Sequence, residues 1–295
     1  MLAQGSSFLS KDAFPTHFTH NSTKTSKDAS ENVPVEVHKL DVPVSALQSI
    51  DWANASPIKR SKPAGSLSTE HWFSRHSRHA NIPSADPEAL KVGGASWKEF
   101  VFGLRDGHSK HEEDFTPTLY AAKTLIDWKD EVKALESEGK LVDPTTGQKY
   151  TQVSFYAAEM CHAIPAPLQP RCFSVLVCTA STNPESFIAV TIPVDLVELG
   201  YYATGKNVTS ETDGQRRKQT VVGAYAAVET AYLEKDADGK EVIDWTMATA
   251  SDTRGNLPMV FQKMALPGAV VKDVGFFLRW IRKVPDAEKT GVVIS

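Results

Sequence analysis

The sequence predicts an α+β fold, with a curved antiparallel sheet wrapped around a long C-terminal helix. Three observations predict it. Five runs in the second half are rich in Val, Thr, Tyr and Phe and are separated by short turn signals, as antiparallel strands are. The helical patterns are segregated, two ahead of these runs and one behind them, which argues against a parallel sheet. Residues 220–281 then read as strand, tight turn, strand and long amphipathic helix, so the last hairpin hands the chain back onto the sheet with a cavity between.

Composition narrows the function. The chain has 295 residues, 41% of them hydrophobic and 23% charged, with a formal net charge of -4. A sizeable core can be buried. Arg216-Arg217-Lys218 is too short a basic run for a polyanion, so nucleic acid is not an expected partner. Cys161, Cys172 and Cys178 are odd in number and form no CxxC. They suit neither a disulfide framework nor a zinc site, and they point to a reducing compartment. No basic start or apolar run marks a signal peptide, and no stretch approaches the length of a membrane span. A cytoplasmic location is expected. Asn21, Asn54 and Asn207 head glycosylation-like triplets, read here as chance matches.

The elements follow in order. Residues 1–66, rich in Ser, Thr, Lys, Asn and Pro, are assigned to an N-terminal arm that is weakly ordered or extended. Within it, residues 33–47 alternate as an edge strand does, and residues 56–68 read as a linker. The domain proper is assigned to residues 67–285. His71–His79 is its first strand, with Trp72, Ser74, His76 and Arg78 on one face and Phe73, Arg75, Ser77 and His79 on the other. Ser96-Trp-Lys-Glu99 is a capping box that opens a helix to about residue 106. Thr116-Pro117 suggests a second helix over 117–138, broken near Asp127, with Leu119, Ala122, Leu125, Ile126 and Trp128 on its apolar face. Strands are expected over 148–158, 171–180, 186–193, 219–232 and 241–251. Residues 206–218 read as a polar, mobile loop, and Asp238-Gly239 as a hairpin turn. The terminal helix carries Val260, Met264, Val271, Val274, Leu278 and Ile281 on one face, and Pro267-Gly268 predicts a kink or two pieces. Residues 286–295 are assigned to a flexible tail.

Several passages resemble a known family. They are Trp72-Phe-Ser-Arg-His-Ser-Arg-His79, Ser96-Trp-Lys-Glu-Phe100, Glu113-Asp-Phe-Thr-Pro117, Arg171-Cys-Phe-Ser-Val-Leu-Val177 and Ile192-Pro-Val-Asp195. The most specific is Met247-Ala-Thr-Ala-Ser-Asp252 with Gly255-Asn-Leu-Pro258. Together they resemble the fungal START-like domain family of uncharacterised function, within the helix-grip superfamily of START domains and polyketide cyclases. The resemblance spans roughly residues 69–281. It implies a hydrophobic-ligand cavity and no established reaction.

The candidate site is read from the strand faces. Trp245, Met247, Thr249 and Ser251 share one face of the last strand, and Tyr225, Ala227 and Glu229 share one face of its neighbour. Both are expected to point inward, with Met264 and Phe277 closing the space from the helix. Trp97, Val175 and Val177 complete the expected lining. A filled core gives the same stripes, and the resemblance is what favours a cavity. Arg171 and Glu229 stand in apolar strands. Each is read either as half of an internal ion pair that orients a ligand or as a solvated strand end. Asp252 and Asn256 are read as turn and cap. His108-Ser-Lys-His-Glu-Glu-Asp114 crowds imidazoles and carboxylates together, but it reads as a solvated loop rather than a metal site. No metal, cofactor or catalytic residue is assigned. Cys161-His162 would diverge on a strand, and Gly-x-Ser-x-Gly is absent.

The expected function is therefore binding, with transfer, of a lipid, sterol or other hydrophobic small molecule. Transient membrane contact accompanies loading, and the oligomeric state is left open. The alternative is a cyclase-like or isomerase-like enzyme using the same cavity through Glu229, Arg171, Tyr225 or a histidine. A third reading is an interaction module whose N-terminal arm binds a partner.

Overall fold

The structure is a computed structural model. It describes residues 1–25, 33–43, 45, 69–196, 198–254 and 259–289, with the backbone alone for 259–265. The described strands are β1 (Thr19–Thr25), β2 (Pro34–Pro43), β3 (Thr69–Ala80), β4 (Leu119–Asp127), β5 (Thr151–His162), β6 (Arg171–Asn183), β7 (Ser186–Pro193), β8 (Val221–Lys235) and β9 (Glu241–Asp252). They form one sheet in the order β1-β2-β3-β9-β8-β7-β6-β5-β4, with a short parallel pairing of β6 with β8. The described helices are α1 (Leu2–Phe8), α2 (Phe14–His17), α3 (Pro87–Val92), α4 (Trp97–Phe100), α5 (His108–Phe115), α6 (Lys129–Ser137), α7 (Asn207–Ser210), α8 (Met259–Ile281) and α9 (Asp286–Lys289). A π-helical turn, Val101–Arg105, continues α4.

Register decides which side chains share a face. Phe73 pairs with Thr249, Arg75 with Met247 and Ser77 with Trp245. Trp245 in turn pairs with Ala231, Met247 with Glu229, and Ser251 with Tyr225. These odd positions line the side on which α8 lies. Phe73, Phe100, Leu104, Phe187, Trp245, Phe277 and Ile281 form a cluster there. The even positions face outward, where Ala180, Ile188, Val190, Val228 and Ala248 are buried beneath α1 and α2. Gly5 of α1 sits so close that a Cβ would lie 2.7 Å from Val190 Cγ2, so only glycine allows this approach.

Several expectations need correction. Residues 117–138 are not one helix. Residues 119–127 form β4, which pairs with β5 along its length, and only Lys129–Ser137 is helical. Register shifts at Leu119/Ala121 and Thr124/Ile126 break the two-residue period. With bulges inserted, apolar positions recur at spacings that imitate a helix. His108–Phe115, read as a solvated loop, is helix α5. The strand expected to come first is third, because β1 and β2 precede it in the sheet. Residues 1–25, placed in a weakly ordered arm, supply α1, α2 and β1. Residues 33–47 read as an edge strand or an extended arm, but β2 lies within the sheet between β1 and β3. The mobile loop at 206–218 holds Asn207 fully buried, its amide donating to the carbonyls of Arg216 at 2.6 Å and Lys218 at 2.9 Å. Pro267 lies inside one continuous helix rather than between two. The tail begins as α9, where Lys289 reaches Glu99 at 2.7 Å.

Candidate functional site

The capping box forms as the sequence dictates. Ser96 Oγ accepts from the Glu99 amide, and Glu99 accepts from the Ser96 amide at 2.8 Å. It sets the start of α4 and so places Trp97, which stacks on Phe187 at 5.5 Å and donates to the Pro184 carbonyl at 3.0 Å. Trp97 thus closes the edge of the aromatic cluster. Phe277 and Trp245 lie at its centre, with ring centroids 5.4 Å apart and exposures of 0% and 1%. These three predicted lining residues belong to filled core.

The polar heart of the inner face is a buried pair. Glu229 Oε1 accepts from Arg75 Nη2 at 3.0 Å and from Trp245 Nε1 at 2.7 Å. The guanidinium also lies 3.8 Å from the Trp245 ring centroid, a favourable cation–π placement. Glu229 is therefore half of an internal ion pair, as one reading of the sequence had it. Arg171 is not. Its three donors go to the carbonyls of Thr253 at 2.6 Å, Arg254 at 3.2 Å and Gln169. It fastens the start of β6 to the chain leaving β9, and burial pulls its guanidinium below its ordinary pKa.

Further acids surround the pair. Glu112 projects from α5 and Asp273 from α8. Both are raised by burial, Glu112 from 4.5 to about 7 and Asp273 from 3.8 to about 6. Each lies within electrostatic reach of Arg75 and Glu229. On β8, Tyr225 bonds Thr191 and meets Phe173 edge-on at 5.3 Å, and its hydroxyl is raised well above its usual value by burial. On β5, Tyr156 meets Ser109 Oγ at 2.8 Å, which docks α5 on the sheet. His162 is pushed down to about 4 by burial and is neutral at pH 7.

These groups share one feature. Glu112, Asp273 and Tyr225 are surrounded by protein, yet each keeps accessible surface. So do Ala227, Met247 and Thr249 on the same face. Val175 and Val177, at 0% and 1% exposure, pack with Tyr156, Met160 and Phe173 beside them. Met264 lies on α8 where only the backbone is described, and Asn256 lies outside the described residues. Asp252 makes a turn, its carboxylate accepting from the Arg254 amide at 2.8 Å.

A family model described as a protein of unknown function, DUF3074, matches residues 72–281. The chain belongs to this family. No curated protein matches it. Among solved structures, human STARD10 is similar at 11% identity and a TM-score of 0.54, covering 98% of this chain and 82% of that one. Human StAR-related lipid transfer protein 5 is similar at 9% identity and a TM-score of 0.52, covering 96% and 94%. At such identity the likeness shows the fold, which is the START-like helix-grip arrangement.

The DUF3074 region runs from Trp72 in β3 to Ile281 at the end of α8, so it contains the whole polar cluster. Sequence reasoning missed three of its members. Arg75 was placed on the correct face of its strand but was not weighed there. Asp273 stands beside Val270, Val274 and Phe277 on the apolar stripe of α8. A lone acid in such a stripe is the signal that finds it. Glu112 was hidden by the loop reading of 108–114. Among the described residues no group of His, Cys, Asp and Glu converges as metal ligands do.

Proposed function

We propose that this protein binds a lipid, sterol or other hydrophobic small molecule inside the sheet-and-helix enclosure and transfers it between membranes. The observation that carries this reading is that Glu112, Tyr225 and Asp273 are surrounded by protein yet keep accessible surface, as do Ala227, Met247 and Thr249 on the same face. Surface that is accessible yet ringed by protein borders an internal space. Apolar walls with a few converging polar groups are the usual make-up of a small-molecule site.

The mechanism is enclosure. Apolar ligand surface leaves water at about 25 cal/mol per Å2. Ala227, Met247 and Tyr225 supply the walls, Val175 and Val177 pack behind them, and Arg75 with Glu229 marks the polar end. Loading needs a way in. The β5–β6 connection, residues 163–170, carries no charge, and Pro165, Ala166 and Pro167 in it are exposed. The exposed cations Arg217, Lys218 and Arg254 flank it, because Pro170 accepts from Val221 at 2.9 Å and Arg171 ties Gln169 to Arg254. This apolar tip with basic shoulders suits a lipid surface. The similar fold of human StAR-related lipid transfer protein 5 supports the same reading. No helix among the described residues is long and apolar enough to cross a membrane. No observation specifically favours the cyclase-like alternative.

Native mass spectrometry of the purified protein, with extraction of what it carries, tests the proposal. The expected result is an apolar adduct that Ala227→Trp removes while its circular dichroism stays unchanged. Protein that leaves its expression host empty and takes up neither sterol nor phospholipid from vesicles sinks the reading.

A further inference from the structure

The enclosed cluster is unbalanced in charge and in hydrogen bonding. It sets one cation, Arg75, against three carboxylates, Glu229, Glu112 and Asp273, from β3, β8, α5 and α8. Glu229 Oε1 is taken up by Arg75 and Trp245. Among the described residues no side-chain or backbone donor meets the Glu112 or Asp273 carboxylate, and both keep accessible surface. The opposite shortage sits beside them. Arg75 is 2% exposed, and its Nε and Nη1 are buried without acceptors. Buried polar atoms are normally satisfied, and each exception calls for a partner.

A phosphate or carboxylate headgroup fits poorly, because ionised Glu229 repels it and its charge would hold Glu112 and Asp273 in their protonated forms. An alcohol alone offers Arg75 an acceptor but leaves the acids without a counter-charge. A headgroup that joins a protonated amine to a neighbouring hydroxyl meets both needs. The ammonium donates to Glu112 and Asp273, and the hydroxyl oxygen accepts from Arg75.

We propose that the polar end of the cavity takes an amphiphile whose headgroup is a cationic amino alcohol. This rests on the lipid-cavity reading above and names the ligand class within it. The remaining charged and titratable neighbours are His108 on α5, Tyr156 on β5 and Tyr225 on β8. Among the described residues none supplies a second fixed positive charge. Binding the ammonium favours the ionised acids, so uptake near pH 6.5 releases protons from Glu112 and Asp273.

The test uses the full chain and four straight-chain probes with matched tails: sphinganine, a fatty alcohol, a fatty acid and an alkyl monophosphate. Affinities are read by displacement of a fluorescent lipid, and proton release by calorimetry in two buffers. Sphinganine is expected to bind about tenfold or more tighter than the acid or the phosphate, the size of one charge-assisted hydrogen bond. Glu112→Gln with Asp273→Asn, close in shape to wild type, is expected to erase that preference and the proton release while leaving alcohol binding intact. Acid or phosphate binding as tight as sphinganine overturns the proposal, and so does a preference that survives in the double variant. If the alcohol binds without an amine preference, the headgroup assignment fails and the cavity stands. If no probe binds, both fail.

Discussion

Arg75 shows how much rests on one side chain. It bonds Glu229, stacks on Trp245 and counters two further acids. Removing one partner of a buried pair leaves the other charge uncompensated, at about 3–5 kcal/mol. Arg75→Met is therefore expected to lower the unfolding free energy read from urea melts by that amount, and Arg75→Met with Glu229→Gln to recover much of it. The acids make a separate prediction. Glu112 and Asp273 are raised to about 7 and about 6, so the folded chain holds protons that the unfolded chain has released. The stabilisation they give is complete below about pH 4 and is lost as pH rises to 7. Glu112→Gln removes one of these titrations. Its stability between pH 5 and 8 should fall by about 1–3 kcal/mol less than that of the unsubstituted protein. Urea melts across that range decide it, and parallel pH profiles refute it. The sequence made Glu229 legible, because one charge among Tyr-Ala-Ala-Val stands out. It made Asp273 hard to see, because helical spacing draws the eye to the apolar neighbours.

At the scale of elements, the strands from β5 to β9 were legible because their composition and turn residues agree. β4 was not, because its two bulges give a strand the spacing of a helix. Nor were α1 and α2, whose apolar residues only gain meaning against the outer face of a sheet formed much later in the chain. The loop after β7 carries a similar long-range device. Glu159 on β5 is fully buried and accepts from the amides of Tyr201, Tyr202 and Ala203, each at 2.9 Å. Three charge-assisted bonds hold the turn against the sheet. Gly200 fits there because a Cβ would come within 2.8 Å of Glu159 Oε1. Glu159→Ala orphans three amides at once. It is expected to cost about 3 kcal/mol or more and to open residues 198–218 to limited proteolysis. An unchanged digestion pattern would count against this anchoring role.

At the scale of the molecule, both faces of the sheet are covered, but unequally. The outer face is sealed by α1 and α2 over Ile188, Val190, Val228 and Ala248. The inner face is sealed by aromatic packing at the Trp245–Phe277 end, while the Tyr225, Met247 and Thr249 end keeps accessible surface. On the proposed function, a ligand that covers this surface adds packing the inner face lacks there. The folded state should then be stabilised by that ligand. A ligand that binds only the folded chain adds about 2.7 kcal/mol at a hundredfold excess over its Kd. For a domain of this size that is roughly 5–10 °C in Tm. Protein stripped of lipid and then reloaded is expected to show the shift, growing with the logarithm of ligand concentration. Ala227→Trp, which fills the space with its own side chain, should start from a higher baseline than the stripped protein and respond to no ligand. Equal shifts in both proteins would place the bound lipid on the surface instead.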